Sequence, residues 1–513
     1  MEPLFSFGWT KSIRSSAAAM FNLILFRVSP FWAHLFYFIL LSLFGFITLK
    51  LSKPRASSIP FSPPDLDLFF TSVSASTLSS MSTVEMEVFS SAQLFILAVL
   101  MLLGGEVFTS MIGLQLRKSK FKKPQDSNPD SIPQIELQIV NQKPSELAIY
   151  FGGIATNNSN NLKYNSMNCL CYVVSVYLLV VQVAGSSLVS LYVTLIPRAR
   201  KVLSSKGIPT QIYSVFMAVS SFANCGFVPT NENMTIFREN SGLLLILLPL
   251  VLVGNTLFPF CLRMVIWVLE RLSKRVEYAY ILNSYGELGY APLMSALRSS
   301  LLAATVVGLI VLQLVVFCAM EWNSESMVGL NSYQKFVVAL FQTTNSRHAG
   351  ESVVDLSVVS PAILVIFVVM MYLPPYTAFV PIGYRDLASA NGTKSKRKWK
   401  NSIPDNLKLS DLSYIAIFVT IICITERIKL KEDPLNFSIF NILLEVVSAY
   451  GNVGISIGYS CKRRLIPDGN CKDAWYGFAG RWSNEGKLIL IIVMFFGRLK
   501  KFNMRGGKAW QLA

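Results

Sequence analysis

Ala75-Ser76-Thr77-Leu78-Ser79-Ser80-Met81 is a run of small and hydroxyl residues set between apolar neighbours. A hydrophobic, proline-broken approach leads into it over residues 61–71, and a long apolar run, residues 88–114, leaves it. Such a stretch has no obvious place in lipid. Backbone without helical bonding is tolerated at membrane depth only where it is buried in protein or lines a water-filled cavity. The stretch is therefore a candidate pore loop, and the same plan recurs three more times along the chain.

The chain has 513 residues, of which 15% are charged, and a mean hydropathy of +0.48. A soluble protein of this length would carry about 25% charged residues. Many apolar runs approach the roughly 20 residues needed to cross a bilayer. The class is an all-α polytopic membrane protein whose solvent is the lipid bilayer. The net charge of +17 would suggest nucleic acid in a soluble protein. Here much of it sits in loops that the positive-inside rule places in the cytoplasm, so no nucleic-acid partner is expected. Five of the eight cysteines (Cys169, Cys171, Cys261, Cys318, Cys423) lie in apolar runs and read as small hydrophobes. Cys461 and Cys471 share an outer loop, where a disulfide is chemically allowed and the sequence leaves its formation open. The two histidines, His34 and His348, have no metal-ligand spacing, so no structural metal is expected. No cleavable signal peptide is evident in the first 30 residues.

Four linked helix–pore-loop–helix units are expected, over residues 34–116, 167–272, 299–384 and 412–513, the last with the C-terminus. A cytoplasmic N-terminus (1–33) precedes them, and cytoplasmic loops (117–166, 273–298, 385–411) separate them. Each unit reads as a first helix (34–51, 169–196, 301–320, 412–425), then a half-helix too short to span (65–77, 211–224, 333–344, 437–449). Continuous exit helices are expected over 88–116, 243–269, 361–382 and 487–498, the third interrupted by Pro374-Pro375. Two prolines remove donors and break a helix, so this exit is expected to form an intramembrane segment that acts as a gate. Arg198, Arg200, Lys201 and Lys206 fall outside in this topology, against the positive-inside rule, and the long inner loops outvote them. The sequons at Asn233 and Asn436 fall outside; those at Asn157 and Asn391 fall inside.

A cation leaving water needs oxygen ligands in place of its hydration shell, and rings of backbone carbonyls supply them. Turning successive carbonyls toward an axis needs dihedrals that Gly adopts without steric cost. Gly226, Gly350 and Gly454 each follow a half-helix at an equivalent point, and Ser80 holds that point in the first unit. Four covalently linked units give a pseudo-fourfold ring, and the half-helix C-termini favour a cation there. Taken singly, each glycine reads better as a helix-packing contact; three glycines and a serine at matching places favour a filter. Flanking them are Leu78, Ser79, Asn224, Cys225, His348, Ala349, Asn452 and Val453. Arg347 and His348 read as hydrogen-bonding supports of the third loop rather than ligands. Arg498, near the end of the last apolar run, is by default an interfacial snorkelling residue; its rival role is a charge facing the pore.

At these residues the chain resembles the plant high-affinity potassium transporter (HKT) family of the wider Trk/Ktr/HKT superfamily. The resemblance runs from about Phe36 to the C-terminus. It rests on Ser74-Ala75-Ser76-Thr77-Leu78-Ser79-Ser80-Met81, Phe222-Ala223-Asn224-Cys225-Gly226-Phe227, Asn345-Ser346-Arg347-His348-Ala349-Gly350-Glu351 and Ser448-Ala449-Tyr450-Gly451-Asn452-Val453-Gly454. The resemblance implies filter positions at Ser80, Gly226, Gly350 and Gly454, with Na+ held by their carbonyls. Serine at the first position resembles the sodium-selective class I subgroup; the potassium-permeable subgroup usually has glycine there. Leu78 stands where valine is common. Gly497-Arg498-Leu499-Lys500-Lys501-Phe502 also fits, and implies that Arg498 shapes the barrier below the filter. Further implications are a plasma-membrane protein with cytoplasmic termini, passive sodium transport in uptake or retrieval and salt tolerance, and no ATP, cofactor or prosthetic group. A homodimer with one pore per subunit stays open.

Two other readings stay in play: a potassium-permeable or sodium–potassium cotransporting relative, and a secondary transporter with inverted repeats and broken helices. The latter predicts two halves of opposite topology, whereas here four units enter from the same side. A membrane enzyme is disfavoured, since no H-E-x-x-H, G-x-S-x-G or paired histidine occurs.

Overall fold

A computed structural model describes residues 30–55, 63–120, 144–377, 410–465 and 471–503. Among them the chain is helical, and the one β pairing is an isolated bridge between Tyr459 and Ala474. In the first unit α1 (Pro30–Leu51) precedes the short α2 (Asp65–Thr77), and α3 (Ser91–Gly104) with α4 (Glu106–Lys120) forms the exit. The second unit has α5 (Pro144–Leu195), α6 (Pro197–Ser205), the short α7 (Thr210–Ala223), and an exit made of α8 (Ser241–Val253) and α9 (Phe258–Ser273). Two small helices, α10 (Val276–Asn283) and α11 (Tyr285–Leu288), lead to the third unit: α12 (Ala296–Glu321), α13 (Ser332–Asn345) and α14 (Pro361–Tyr372). The fourth comprises α15 (Asp411–Thr425), α16 (Arg427–Glu432), α17 (Ile439–Gly451) and α18 (Asn484–Asn503).

Three stretches, Phe31–Leu51, Asn161–Leu195 and Ala296–Glu321, are long and apolar enough to cross a bilayer on their own. The short helices are built differently. Their C-terminal halves are buried on all sides, α2 from Leu68 to Thr77 apart from Phe69 and α7 from Phe216 to Ala223. Side-chain caps start two of them: Asn331 with Gln334 forms a capping box for α13, and Ser438 accepts from the Asn441 amide at α17. Prolines 64 and 209 precede the other two.

The units close into a ring through one repeated contact. Each first helix packs on its own short helix, and each exit helix packs on the short helix of the next unit: α3 on α7, α8 on α13, α14 on α17, and α18 back on α2. This brings the four short helices together around one axis.

Several sequence-based boundaries need correction. The exit runs 88–116 and 243–269 are not continuous helices. The first bends by 54° between α3 and α4, the second by 84° between α8 and α9. Both breaks fall at glycines pressed against a short helix: a Cβ on Gly104 would overlap the Ser76 carbonyl, and one on Gly254 the Phe222 carbonyl. Gly497 in α18 meets the Tyr450 carbonyl in the same way, without a break. The loop expected over 117–166 is helical at both ends, since α4 runs to Lys120 and α5 starts at Pro144. The loop 273–298 contains α10, α11 and the start of α12, and α1 begins inside the expected N-terminal segment 1–33. Residues 385–409, with the Asn391 sequon, lie outside the described residues. The Asn436 sequon is sequestered: its side chain is buried and its amide donates to Asp433 and to the Ser460 carbonyl.

Candidate ion pore

The short helices stop because their C-terminal turns close on themselves. The amides of Ser79, Cys225 and Val453 reach back to the carbonyls of Ser74, Ser220 and Ser448 at 2.9, 2.9 and 3.1 Å. The residues just before them, Leu78, Asn224 and Asn452, hold left-handed dihedrals with φ of 59°, 56° and 47°. This is the Schellman ending of a helix, built here without glycine. The third unit turns later: the Gly350 amide bonds the Asn345 carbonyl at 3.0 Å.

The chain then turns up in each unit at a residue of positive φ: Ser80 (50°), Gly226 (89°), Gly350 (73°) and Gly454 (97°). At three of these the absence of a Cβ is a steric requirement. A Cβ on Gly226 would overlap the Ala349 carbonyl oxygen, one on Gly350 the Val453 oxygen, and one on Gly454 the Cβ of Ser80. These approaches run around the ring in chain order, so the four positions face one another at one level. Ser80 alone places a side chain there. Its Oγ would stand 3.3 Å from a Cβ on Gly226 and 2.9 Å from one on Gly454. For a non-glycine residue the left-handed dihedral costs about 1–2 kcal/mol, so surrounding structure has to hold Ser80 in place.

Hydroxyls behind the ring do part of that. Ser220 Oγ accepts from the Gly226 amide (3.1 Å) and donates to the Phe227 carbonyl (2.8 Å); Ser448 Oγ accepts from the Gly454 amide (3.0 Å). Asn452 Nδ2 donates to Ser79 Oγ at 2.8 Å, tying the fourth loop to the first. His348 Nδ1 lies 2.6 Å from the Thr344 carbonyl, which can only accept, so Nε2 is the acceptor for the Thr256 hydroxyl at 2.8 Å. Glu351, fully buried, accepts from Ser221 Oγ at 2.7 Å and ties the third loop to the second short helix. The Ala349 and Val453 carbonyls approach Gly226 and Gly350, and four short helices end at these loops; backbone carbonyls and helix C-termini are groups that can receive a cation stripped of water.

A pocket of about 280 Å³ opens above the ring, bordered by Ser80, Gly454, Glu232, Asp355 and Tyr476. At this end of the protein Lys206 pairs with Glu87 and Glu232, and Arg198 with Glu239. These pairs account for part of the basic cluster that conflicts with the positive-inside rule: acidic loop residues offset it locally. Burial works against the Lys206 ammonium, but the hydrogen bonds it donates to Glu232 and Glu87 and their negative charge outweigh it, and its pKa is raised. The loop between α17 and α18 is closed by a Cys461–Cys471 disulfide.

Below the ring, α14 ends at Tyr372, and Leu373 takes an extended conformation before Pro374-Pro375. Arg347, in the loop after the third short helix, donates to the Pro374 carbonyl at 2.9 Å. Arg498 is buried at 1% exposure. Its Nη2 donates to the Gly104 carbonyl, its Nη1 lies 3.3 Å from Glu106 Oε1, and its guanidinium stands over the Phe38 ring. Glu106 also accepts from the Tyr376 hydroxyl at 3.1 Å. Arg498 therefore lies inside the protein rather than at a lipid interface. Glu106, Tyr376, Glu351 and the Ser220/Ser448 pair were not picked out from the sequence. For Glu106 a signal existed, a lone carboxylate in a long apolar run.

Taken together, the fold is that of an all-α, multi-pass membrane transporter, not an enzyme. The family model described as "Cation transport protein" (TrkH) matches residues 154–504. The chain is 49% identical to the cation transporter HKT1;3 of Oryza sativa subsp. japonica, covering 98% of this chain and 95% of that one. It is 50% identical to the sodium transporter HKT1 of Arabidopsis thaliana, over 90% and 91% of the two chains. The potassium transporter TrkH from Vibrio parahaemolyticus aligns over 92% of this chain and 84% of its own, with a TM-score of 0.47 and 14% identity. The chain belongs to the plant HKT family of the Trk superfamily of cation transporters.

Proposed function

We propose that the chain passes sodium passively and selectively, with the ion dehydrated by the carbonyls around Ser80, Gly226, Gly350 and Gly454. The observation that carries this is Ser80, which brings a Cβ and a hydroxyl to a level where the other three units have neither. The ring is tighter on that side and has one more oxygen. Potassium, the larger ion, loses more from a tightened ring, and sodium gains more from close oxygen contact. The required magnitude is modest, since about 1.4 kcal/mol of differential cost is tenfold in selectivity. The name of the Arabidopsis relative, a sodium transporter, agrees with this reading.

In the same reading Arg498 raises a positive barrier below the filter, and Leu373 to Thr377 is the gate segment that Arg347 and Glu106 hold. The protein works in the plasma membrane with both termini in the cytoplasm, in sodium uptake or retrieval and salt tolerance. The experiment that tests the selectivity is two-electrode recording of the wild type in sodium-only and potassium-only baths. Inward current in sodium and little in potassium supports the reading; comparable currents favour the potassium-permeable alternative.

A further inference from the structure

The second exit helix does not continue across the bilayer. It turns by 84° at residues 254–257, so α9 runs nearly perpendicular to α8. A helix with one apolar and one basic face is suited to lie along a membrane surface. Its composition fits. Met264, Trp267, Val268 and Leu272 are exposed and apolar, while Arg263, Arg271, Lys274 and Arg275 are spread along and just beyond it. Arg271 stands over the Trp267 ring, 5.4 Å from its centroid.

Between α9 and the first turn of α12 is a groove of about 650 Å³. One wall carries Phe260, Met264 and Trp267, and the other carries Leu297. Three polar groups border it: Arg263, Ser300 and Ser299. Ser299 is 1% exposed, and its hydroxyl has no hydrogen-bond partner. A buried, unsatisfied hydroxyl carries a desolvation penalty that a bound acceptor would remove. The N-terminal turn of α12 adds peptide amides and a positive helix end.

We infer that this groove binds an anionic phospholipid, its phosphate against Arg263 and the α12 N-terminal turn, its acyl chain along Phe260, Met264 and Trp267, with the Arg271 guanidinium over the Trp267 ring adding positive charge at the edge. The apolar walls suit a chain rather than a soluble phosphate. Arg263 borders the groove, Arg271 stands beside it over the Trp267 ring, and no acidic residue borders it, which suits an anionic over a zwitterionic headgroup. Each Lys or Arg near a membrane surface favours anionic lipid by about fivefold. This site is remote from the filter, and its occupation does not depend on which ion is carried.

The test is native mass spectrometry of the full-length protein, purified in detergent and titrated with phosphatidylglycerol or phosphatidylcholine of matched chains. The wild type should retain phosphatidylglycerol at least several-fold better than phosphatidylcholine. Arg263→Gln with Arg271→Gln should bring the two lipids close to equal retention. Arg263 also holds the Met294 and Leu282 carbonyls, so its loss risks the fold. Arg271→Gln alone, at an exposed side chain, then carries the test, with about a fivefold drop expected. Equal retention of both lipids by the wild type overturns the proposal. So does unchanged phosphatidylglycerol retention in Arg271→Gln, or a lipid-free dimer whose subunits bury this groove.

Discussion

Arg498 and Glu106 lie 392 positions apart in the chain and meet beneath the ring, with Nη1 3.3 Å from Oε1. Under the proposed barrier role Arg498 supplies a positive charge near the permeating ion, and Glu106 partly offsets it. Removing the positive partner should ease a cation's passage. Arg498→Ala is expected to raise inward current several-fold or to change rectification, at equal surface protein. Unaltered current–voltage curves would mean that the guanidinium does not face the permeating ion.

Removing the negative partner should do the opposite. Glu106→Gln leaves a buried arginine uncompensated, which costs about 3–5 kcal/mol. Less protein at the surface is expected, and lower current per molecule in what remains. Tyr376→Phe removes a single hydrogen bond to the same carboxylate, worth about 1.5–3 kcal/mol. It should loosen the segment after Pro374-Pro375 and increase current without loss of expression. If both variants shift current in the same direction, the Glu106 bridge does not link barrier and gate.

The contact between Gly454 and Ser80 predicts a rescue. In Gly454→Ser the new Cβ collides with that of Ser80 and should abolish current. In the Ser80→Gly background the collision is gone, and a substantial part of the current should return. A double variant as silent as the single one would show that the two positions do not share one level of the pore.

The topology is open to glycosylation mapping. With both long basic loops inside, Asn391 should never be modified, and Asn436, buried and bonded to Asp433, should not be modified in folded protein even though it lies outside. Asn233, half-buried at the outer mouth, is the remaining outer sequon. A glycan on Asn391 would invert the assignment.

Much of this was readable in the chain. Apolar segments too short to span, ending in small and hydroxyl residues between runs of membrane length, set α2, α7, α13 and α17 to within two residues of their ends. The exit helices were not readable in the same way. Gly104-Gly105 and Gly254 sit in apolar runs whose hydropathy does not register that a neighbouring carbonyl presses on them. The Arg498–Glu106–Tyr376 chain was invisible because its members come from three units and meet only after the ring closes. Asn436 looked like a surface sequon because three letters carry no information about burial.

The central claim is that the Ser80 side chain sets sodium over potassium. The direct measurement is the reversal potential of Ser80→Gly against wild type in mixed sodium and potassium baths, with surface protein quantified. A positive shift on adding potassium, corresponding to about a tenfold rise in relative potassium permeability, is the expected result. An unchanged reversal potential at normal surface expression would contradict the claim and place selectivity elsewhere in the pore.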